Sequence, residues 1–197
     1  MPQRPDLILA STSRYRSELL ERLRIAFSVH APGVDESRRP GESPADVASR
    51  LALEKARAVA AIYPAAVVIG SDQVAELDGQ TIGKPGTHER ALAQLRAMSG
   101  RTLVFHTALA VVCIARGHEA QALVPVTVRV RTLNDAEIEH YLHAEKPYDC
   151  AGSAKVETLG IALLESVESD DPTALVGLPL IRTCDMLRAV GIDPLAE

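Results

Sequence analysis

Residues 6–24 read DLILASTSRYRSELLERLR and place a buried strand, a turn and an amphipathic helix in immediate succession. The apolar run LILA predicts the strand, and Ser13 favours the N-cap position of the helix that follows. Leu19, Leu20 and Leu23 fall on one face of that helix, as expected where a helix packs on a sheet. A strand that passes directly into a helix is typical of α/β proteins.

The remainder of the chain continues to alternate strands with helices. Strands are predicted at 27–31, 65–70, 102–115, 121–132 and 160–167, and helices at 44–62, 87–98, 134–143 and 179–191. Arg116-Gly117 joins the two longest strands as a hairpin, so we expect a mixed sheet rather than a purely parallel one. Because no linker rich in Pro, Gly or Ser divides the 197 residues, we expect a single domain over 1–197.

The composition excludes several functional classes. Lys and Arg number 21 against 26 Asp and Glu, and this formal charge of −5 argues against a general nucleic-acid binder. No apolar run approaches the ~20 residues of a membrane-spanning helix, and the N-terminal apolar run is too short for a signal peptide. The three cysteines are far apart and form no CxxC pair. We expect a cytoplasmic protein that binds neither nucleic acid nor membrane.

The turn at 11–16 is the first candidate for a binding site. Ser11, Ser13 and Arg16 gather hydroxyl, backbone N–H and guanidinium donors at a helix N-terminus, where the helix dipole favours an anion. This pattern predicts a phosphate-binding turn. The alternative is a capped surface helix with solvated arginines.

Acidic residues and lysines form a second group of candidates. Glu36 lies in a polar loop, and Glu54 and Lys55 lie on the long helix. Carboxylates that converge with a lysine can hold Mg²⁺ against a polyphosphate. The alternative is an acidic loop and a solvated helix face.

Asp72 follows the apolar strand at 65–70, where α/β proteins form their sites, and could bind a metal or accept a proton from water. Lys84, in Gly-Lys-Pro, could reach a phosphate. The segment 148–157 sets small residues between charges and suggests close approach to a ligand. Simple turns explain each of these equally well.

None of the six histidines has the spacing of metal ligands: His140 and His143, three apart, indicate surface or structural roles.

The order and wording of these motifs together resemble the Maf family. The resemblance covers about residues 7–190 and rests on LILASTS at 7–13 with Arg16, VDE at 34–36, LEKA at 53–56, IGSDQV at 69–74, GKP at 83–85, CAGS at 150–153 and DPTALVGLPL at 171–180. It implies a nucleoside triphosphate pyrophosphatase that uses a divalent metal. It also implies an elongated α/β mixed sheet with flanking helices, two lobes around a cleft, and a possible homodimer.

Three positions resemble the branch that acts on 7-methyl-GTP. Tyr15, Gln73 and Glu157 stand where the branch acting on dTTP and UTP tends to have Arg, Thr and Gln. N7-methylguanine is cationic, so an aromatic face attracts it. A carboxylate can also accept hydrogen bonds from the guanine N1–H and exocyclic amine together, whereas an amide suits a pyrimidine edge better.

The resemblance, with these residues, gives a mechanistic hypothesis. Asp72 activates the attacking water, directly or as a metal ligand, and Glu36 and Glu54 help to hold Mg²⁺ or Mn²⁺. Lys55 and Lys84 neutralise the triphosphate, while Ser11, Ser13 and Arg16 bind its phosphates. Two alternatives remain: a pyrophosphatase for dTTP, UTP or other non-canonical nucleotides, and a non-catalytic nucleotide-binding regulator of cell division.

Overall fold

The computed structural model describes residues 5–196, which form five α-helices and one seven-stranded mixed sheet. The strands are β1 (Leu7–Ala10), β2 (Ser28–Val29), β3 (Val67–Leu77), β4 (Gln80–Ile82), β5 (Thr102–Cys113), β6 (His118–Val130) and β7 (Leu164–Glu168). The helices are α1 (Arg14–Glu21), α2 (Pro44–Ile62), α3 (His88–Met98), α4 (Asp135–Glu145) and α5 (Leu180–Ala189). The α/β class with a mixed sheet is confirmed. None of the helices described is both long and apolar enough to cross a membrane.

The sheet has a gap along one edge of β3. Its strand order is β2-β1-β3-β5-β6-β7, with β4 also paired to β3. β1 runs parallel to β3 along 67–70, and β4 runs antiparallel along 75–77. β5 occupies the opposite edge of β3 without interruption from 68 to 76. Residues 71–74 therefore face the space left between β1 and β4.

Alternation along β1 divides the first lobe into two layers. Leu7 and Leu9 pack with α1 and α5, whereas Ile8 and Ala10 pack with α2 on the other face. This is the period of two that a strand buried on both faces requires. β1, the first half of β3 and the last half of β5 thus lie between helical layers.

The N-terminus of α2 is fixed by a capping box: the Ser43 hydroxyl accepts from Asp46 N, and the Asp46 carboxylate accepts from Ser43 N. Further along, α2 lies directly on β3 at Gly70. A Cβ on Gly70 would be 2.2 Å from the Ala52 carbonyl oxygen, so only glycine allows this approach. The approach brings Lys55 of α2 next to the middle of β3.

The second lobe surrounds the opposite ends of the same long strands. α3 and α4 contribute Leu95, Ile138 and Leu142 to a core shared with Phe105 of β5 and Val126 of β6. Because β3 and β5 enter the cores of both lobes, the lobes share a sheet rather than being joined by a linker. The gap in the edge of β3 lies between the two lobes.

Three strand predictions are wrong in their extent. The apolar strand does not end at Gly70 but continues to Leu77, because residue-by-residue pairing with β5 holds it extended. The strand predicted at 27–31 is reduced to Ser28–Val29. At 160–167, the first residues form a 3-10 helix (Leu159–Leu163), and the strand begins at Leu164.

Candidate active site

A cavity of about 860 Å³ opens between the two lobes, within the roughly 300–1,000 Å³ typical of small-molecule sites. The first lobe contributes 11–16, the loop at 31–38, Lys55 and the middle of β3. The second contributes 81–84 and parts of 149–157, and the turn at 175–177 closes the remaining side. All but one of the predicted site residues line this cavity. They are Ser11, Ser13, Tyr15, Arg16, Glu36, Lys55, Asp72, Gln73, Lys84 and Glu157.

The centre of the cavity is an ammonium between two carboxylates. Lys55 Nζ donates to Asp72 Oδ1 at 2.6 Å and to Glu36 Oε1 at 2.8 Å. Lys55 is 4% exposed and Asp72 8%, so their pairing takes place largely out of water. The second Asp72 oxygen, Oδ2, has no hydrogen-bond donor within the described chain and remains available to a ligand.

Asp72 does not follow the end of a strand, as the sequence predicts, but lies in the middle of β3. It is accessible because the edge of β3 is unpaired at 71–74. Side chains alternate along a strand, so Asp72 points to the face covered by α2 and Gln73 to the opposite face. The cavity therefore wraps around the open edge of the sheet.

Arg16 is held beside these carboxylates by two anchors. Its Nε donates to the Gly177 carbonyl at 2.9 Å, and its Nη1 lies 3.5 Å from Ser11 Oγ. Burial lowers the pKa of Arg16, and the negative charges of Asp72 and Glu36 oppose that shift. Its Nη2 finds no acceptor in residues 5–196 and can donate to an anion in the cavity.

The turn that anchors Arg16 is fastened to the sheet by buried polar side chains. Ser71 Oγ donates to Gly177 O at 2.9 Å, and Thr107 Oγ1 donates to Ala174 O at 2.9 Å. Gln73 Nε2 donates to the carbonyls of Ala174 and Leu175, both at 3.0 Å. The sequence prediction missed Ser71, Thr107 and Gly177. The only signal was a hydroxyl side chain within each of two mainly apolar strands, Ser71 in β3 and Thr107 in β5.

The N-terminus of α1 points into the cavity with its first backbone N–H groups uncapped. Ser13 is extended and is the N-cap, but its side chain makes no capping hydrogen bond. Its N–H donates instead to Ser11 Oγ at 3.1 Å. The first turn holds no acidic residue to satisfy the helix dipole, so the site favours an external anion.

Lys84 approaches from the second lobe and faces Glu36. Burial raises the pKa of Glu36, but the hydrogen bond from Lys55 and the charges of Lys55, Lys84 and Arg16 outweigh it, so the net shift is downward. Glu36 therefore remains a carboxylate in neutral solution. Cations from three separate segments surround it.

Tyr15, Cys150 and Glu157 lie at the other end of the cavity. The Cys150 thiol is 3.8 Å from the Tyr15 hydroxyl, a contact across the cleft. Burial, together with the nearby charges of Asp149 and Glu157, raises the pKa of Cys150 to about 11. The Arg14 guanidinium carbon is 4.7 Å from the centre of the Tyr15 ring, so one ring face already holds a cation.

Glu54 is the one predicted site residue that the structure does not bring to the cavity. Its carboxylate binds Arg39 at 2.8 Å and Arg50 at 3.0 Å. Arg50 also pairs with Glu42, so these four side chains form an ion network on the outer surface of α2. Glu54 and Lys55 are adjacent in a helix and cannot face the same direction.

The donors available for a metal are the carboxylates of Glu36 and Asp72. Both are hard oxygen ligands, and a Mg²⁺ ion is commonly held by one or two carboxylates together with substrate phosphates. Asp72 Oδ2 and the exposed Glu36 side chain face the cavity without other partners than Lys55 in the described residues. The residues therefore fit a divalent cation that a polyphosphate helps to bind.

Comparison with known proteins adds to this geometry. A family model described as Maf-like protein matches residues 6–190. A 7-methyl-GTP pyrophosphatase from Albidiferax ferrireducens is 63% identical over 194 residues, which are 98% of each chain. A protein of the same name from Polaromonas sp. is 63% identical, over 100% of this chain and 90% of its own. Another, from Bordetella pertussis, is 59% identical, over 97% of this chain and 95% of its own.

Proposed function

This chain belongs to the Maf family, and on that premise we propose that it hydrolyses 7-methyl-GTP to 7-methyl-GMP and pyrophosphate. The names of relatives that are 59–63% identical over nearly the full chain support both the reaction and the substrate. The observation that carries the proposal is the pairing of Lys55 with Asp72 and Glu36, in a cavity that also holds Arg16 and Lys84.

The charges of the cavity suit a triphosphate. Arg16, Lys55 and Lys84 provide cations, and the uncapped N-terminus of α1 provides backbone N–H donors. Phosphoryl transfer depends chiefly on positioning and on neutralising charge, which fixed donors supply without rearranging during the reaction. Ser11 and Ser13 add hydroxyls beside that helix end.

We assign the proton transfer to Asp72. Its Oδ2 accepts a proton from the water that attacks the α-phosphorus, and the bond from that phosphorus to the bridging oxygen breaks. Pyrophosphate leaves with the bonding electrons, and Lys84 and Arg16 stabilise its charge. Lys55 holds Asp72 in place through Oδ1. Glu36 and Asp72 would hold Mg²⁺ or Mn²⁺, which supplies Lewis-acid stabilisation of the phosphate charge.

Recognition of the base is assigned to the end of the cavity formed by Tyr15 and Glu157. A methylated guanine carries positive charge, so the face of Tyr15 opposite Arg14 attracts it by ~0.5–2 kcal/mol. Burial raises the pKa of Tyr15 to about 12, so the ring carries no phenolate charge at neutral pH. Glu157 supplies two acceptors to the guanine edge. Gln73 contributes only its carbonyl oxygen, because its amide nitrogen binds the turn at 174–175.

The measurement that tests this function is pyrophosphate release from 7-methyl-GTP, GTP, UTP, dTTP and ITP with Mg²⁺ and then with Mn²⁺. Dominant turnover of 7-methyl-GTP is expected. Preference for UTP or dTTP would support the pyrophosphatase reaction but contradict the assignment of base recognition to Tyr15 and Glu157. No turnover of any nucleotide would favour a binding or regulatory role. The cytoplasmic location and the homodimer stay predictions.

A further inference from the structure

Two histidines and a glutamate meet on the outer surface of the second lobe. His88 is the first residue of α3, and Glu139 and His143 are one turn apart on α4. Glu139 Oε2 is 2.8 Å from His88 Nε2 and 3.6 Å from His143 Nε2. In the described part of the chain, it is the one group of three such side chains with ligand atoms all within 4.8 Å of one another.

We propose that His88, Glu139 and His143 form a Zn²⁺ site separate from the catalytic cleft. Two imidazoles and one carboxylate are a ligand set that zinc takes in proteins, with a water as the fourth ligand. The hard, oxygen-only donors of Glu36 and Asp72 suit Mg²⁺ instead. The two sites therefore differ in the class of ion that each prefers.

The distances are close to those that a tetrahedral ion needs. Zinc bonds of roughly 2.0–2.2 Å place neighbouring ligand atoms about 3.3–3.5 Å apart. The two measured separations, 2.8 Å and 3.6 Å, lie on either side of this value. The third separation, between the two histidine nitrogens, is no more than 4.8 Å, and His143 is exposed, so its side chain can change rotamer to complete the site.

A hydrogen bond behind His88 fixes the orientation of its ring. His88 Nδ1 is 3.1 Å from the Tyr148 hydroxyl. When Nε2 binds an ion, Nδ1 carries the proton and donates it to that hydroxyl oxygen. Such a partner behind a metal-binding histidine selects the correct tautomer and raises affinity. An ion pair between His88 and Glu139 alone would not require the hydrogen bond from Nδ1 to Tyr148.

The site connects three segments of the second lobe. The ligands join the start of α3 to α4. Tyr148 connects the loop that follows α4, because its carbonyl accepts a hydrogen bond from Gly86 N, just before α3, at 3.0 Å. None of the three ligands lines the catalytic cavity. We therefore expect zinc to stabilise the fold. Sequence spacing could not indicate this site, because His88 is 51 residues from Glu139.

The test is zinc affinity, measured by competition with a chromophoric chelator against the whole protein. Wild type should bind one Zn²⁺ per chain, and His143→Ala and Glu139→Gln should each bind it at least about tenfold more weakly. His140→Ala is the matched control, because it removes another histidine from the same helix and should leave affinity unchanged. Asp72→Asn should also bind zinc normally, which separates this site from the cleft.

A second measurement tests the histidine partner. Tyr148→Phe keeps the packed ring and should weaken zinc binding by about tenfold. Zinc should raise the melting temperature of wild type but not of His143→Ala. Equal zinc affinity in wild type, His143→Ala and Glu139→Gln would overturn the proposal. Loss of binding in Asp72→Asn would overturn it too, by assigning the ion to the cleft.

Discussion

Lys55 Nζ lies 2.6 Å from Asp72 Oδ1, although the two residues are 17 positions apart and belong to a helix and a strand. The contact exists because α2 packs directly on β3 at Gly70, where the backbone of the helix leaves no room for a side chain. The position of the ammonium is therefore set by core packing as well as by charge. The central pair of the cleft depends on residues that never contact a ligand.

Asp72→Asn should reduce turnover by about 10²–10⁴-fold, because an amide cannot take the proton of the attacking water. The melting temperature should change little, since the amide oxygen still accepts from Lys55. Steady-state pyrophosphate release and thermal denaturation measure the two effects. Glu76→Gln, on the same face of β3 but outside the cavity, is the control. An equal loss of turnover in both variants would show that Asp72 is not the group that takes the proton from water.

Gly70→Ala should lower the free energy of unfolding by about 1–3 kcal/mol, because the new methyl group overlaps the backbone of α2. It should also reduce turnover by moving Lys55 away from Asp72. Urea denaturation and steady-state kinetics measure these effects. Gly83→Ala is the matched control for stability, since a methyl group added there would meet nothing within 4 Å. Wild-type stability in Gly70→Ala would contradict the packing argument.

Glu157→Gln should reduce the ratio of kcat/KM for 7-methyl-GTP to that for GTP. Replacing a charged acceptor by a neutral amide removes its attraction for the cationic base, which we expect to lower the ratio by about tenfold. Glu168→Gln, on the exposed strand β7, should leave the ratio unchanged. A ratio that stays at the wild-type value in Glu157→Gln would show that another residue recognises the base.

The Glu42–Arg50 pair should give a defined acid dependence of stability. The hydrogen bond from Arg50 lowers the pKa of Glu42 from 4.5 to about 2. A depressed carboxyl pKa stabilises the folded state above the unfolded value, and that contribution is lost as pH falls. The difference in unfolding free energy between wild type and Glu42→Gln should be constant above pH 4.5 and shrink toward pH 2.

Urea denaturation at several pH values measures this difference. In an Arg50→Gln background, the difference made by Glu42→Gln should shrink over a narrower pH range, because the largest cause of the lowered Glu42 pKa is gone and only the backbone N–H and the charge of Arg39 remain. A pH range that is as wide without Arg50 as with it would assign the lowered pKa of Glu42 to another group.

The sequence predicts much of this molecule because its signals are local. Strand β1, helix α1 and the capped start of α2 follow from apolar periodicity and from Ser43-Pro44. The motif order also identifies ten residues that line the cavity, and Glu54 is the one predicted site residue that lies outside it. Its neighbour Lys55 reaches the cleft, and a motif of adjacent letters does not say which face of a helix each residue occupies.

Long-range contacts account for what the sequence could not predict. Arg16 is anchored by Gly177, 161 residues away, and nothing near Arg16 in the sequence indicates that partner. The predicted length of β3 is too short because polar residues at 71–73 look like the end of a strand. Pairing with β5 and the hydrogen bonds of Ser71 and Gln73 satisfy those polar groups inside the sheet.

Strands β3 and β5 pass without interruption through the hydrophobic cores of both lobes. No hinge region connects the lobes within residues 5–196, so they cannot swing apart as rigid bodies without breaking the ladder between β3 and β5. Melting one core removes the pairing on which the other depends, and unfolding should be a single cooperative transition. A nucleotide that binds in the cleft therefore protects the entire chain against unfolding and proteolysis, rather than one half of it.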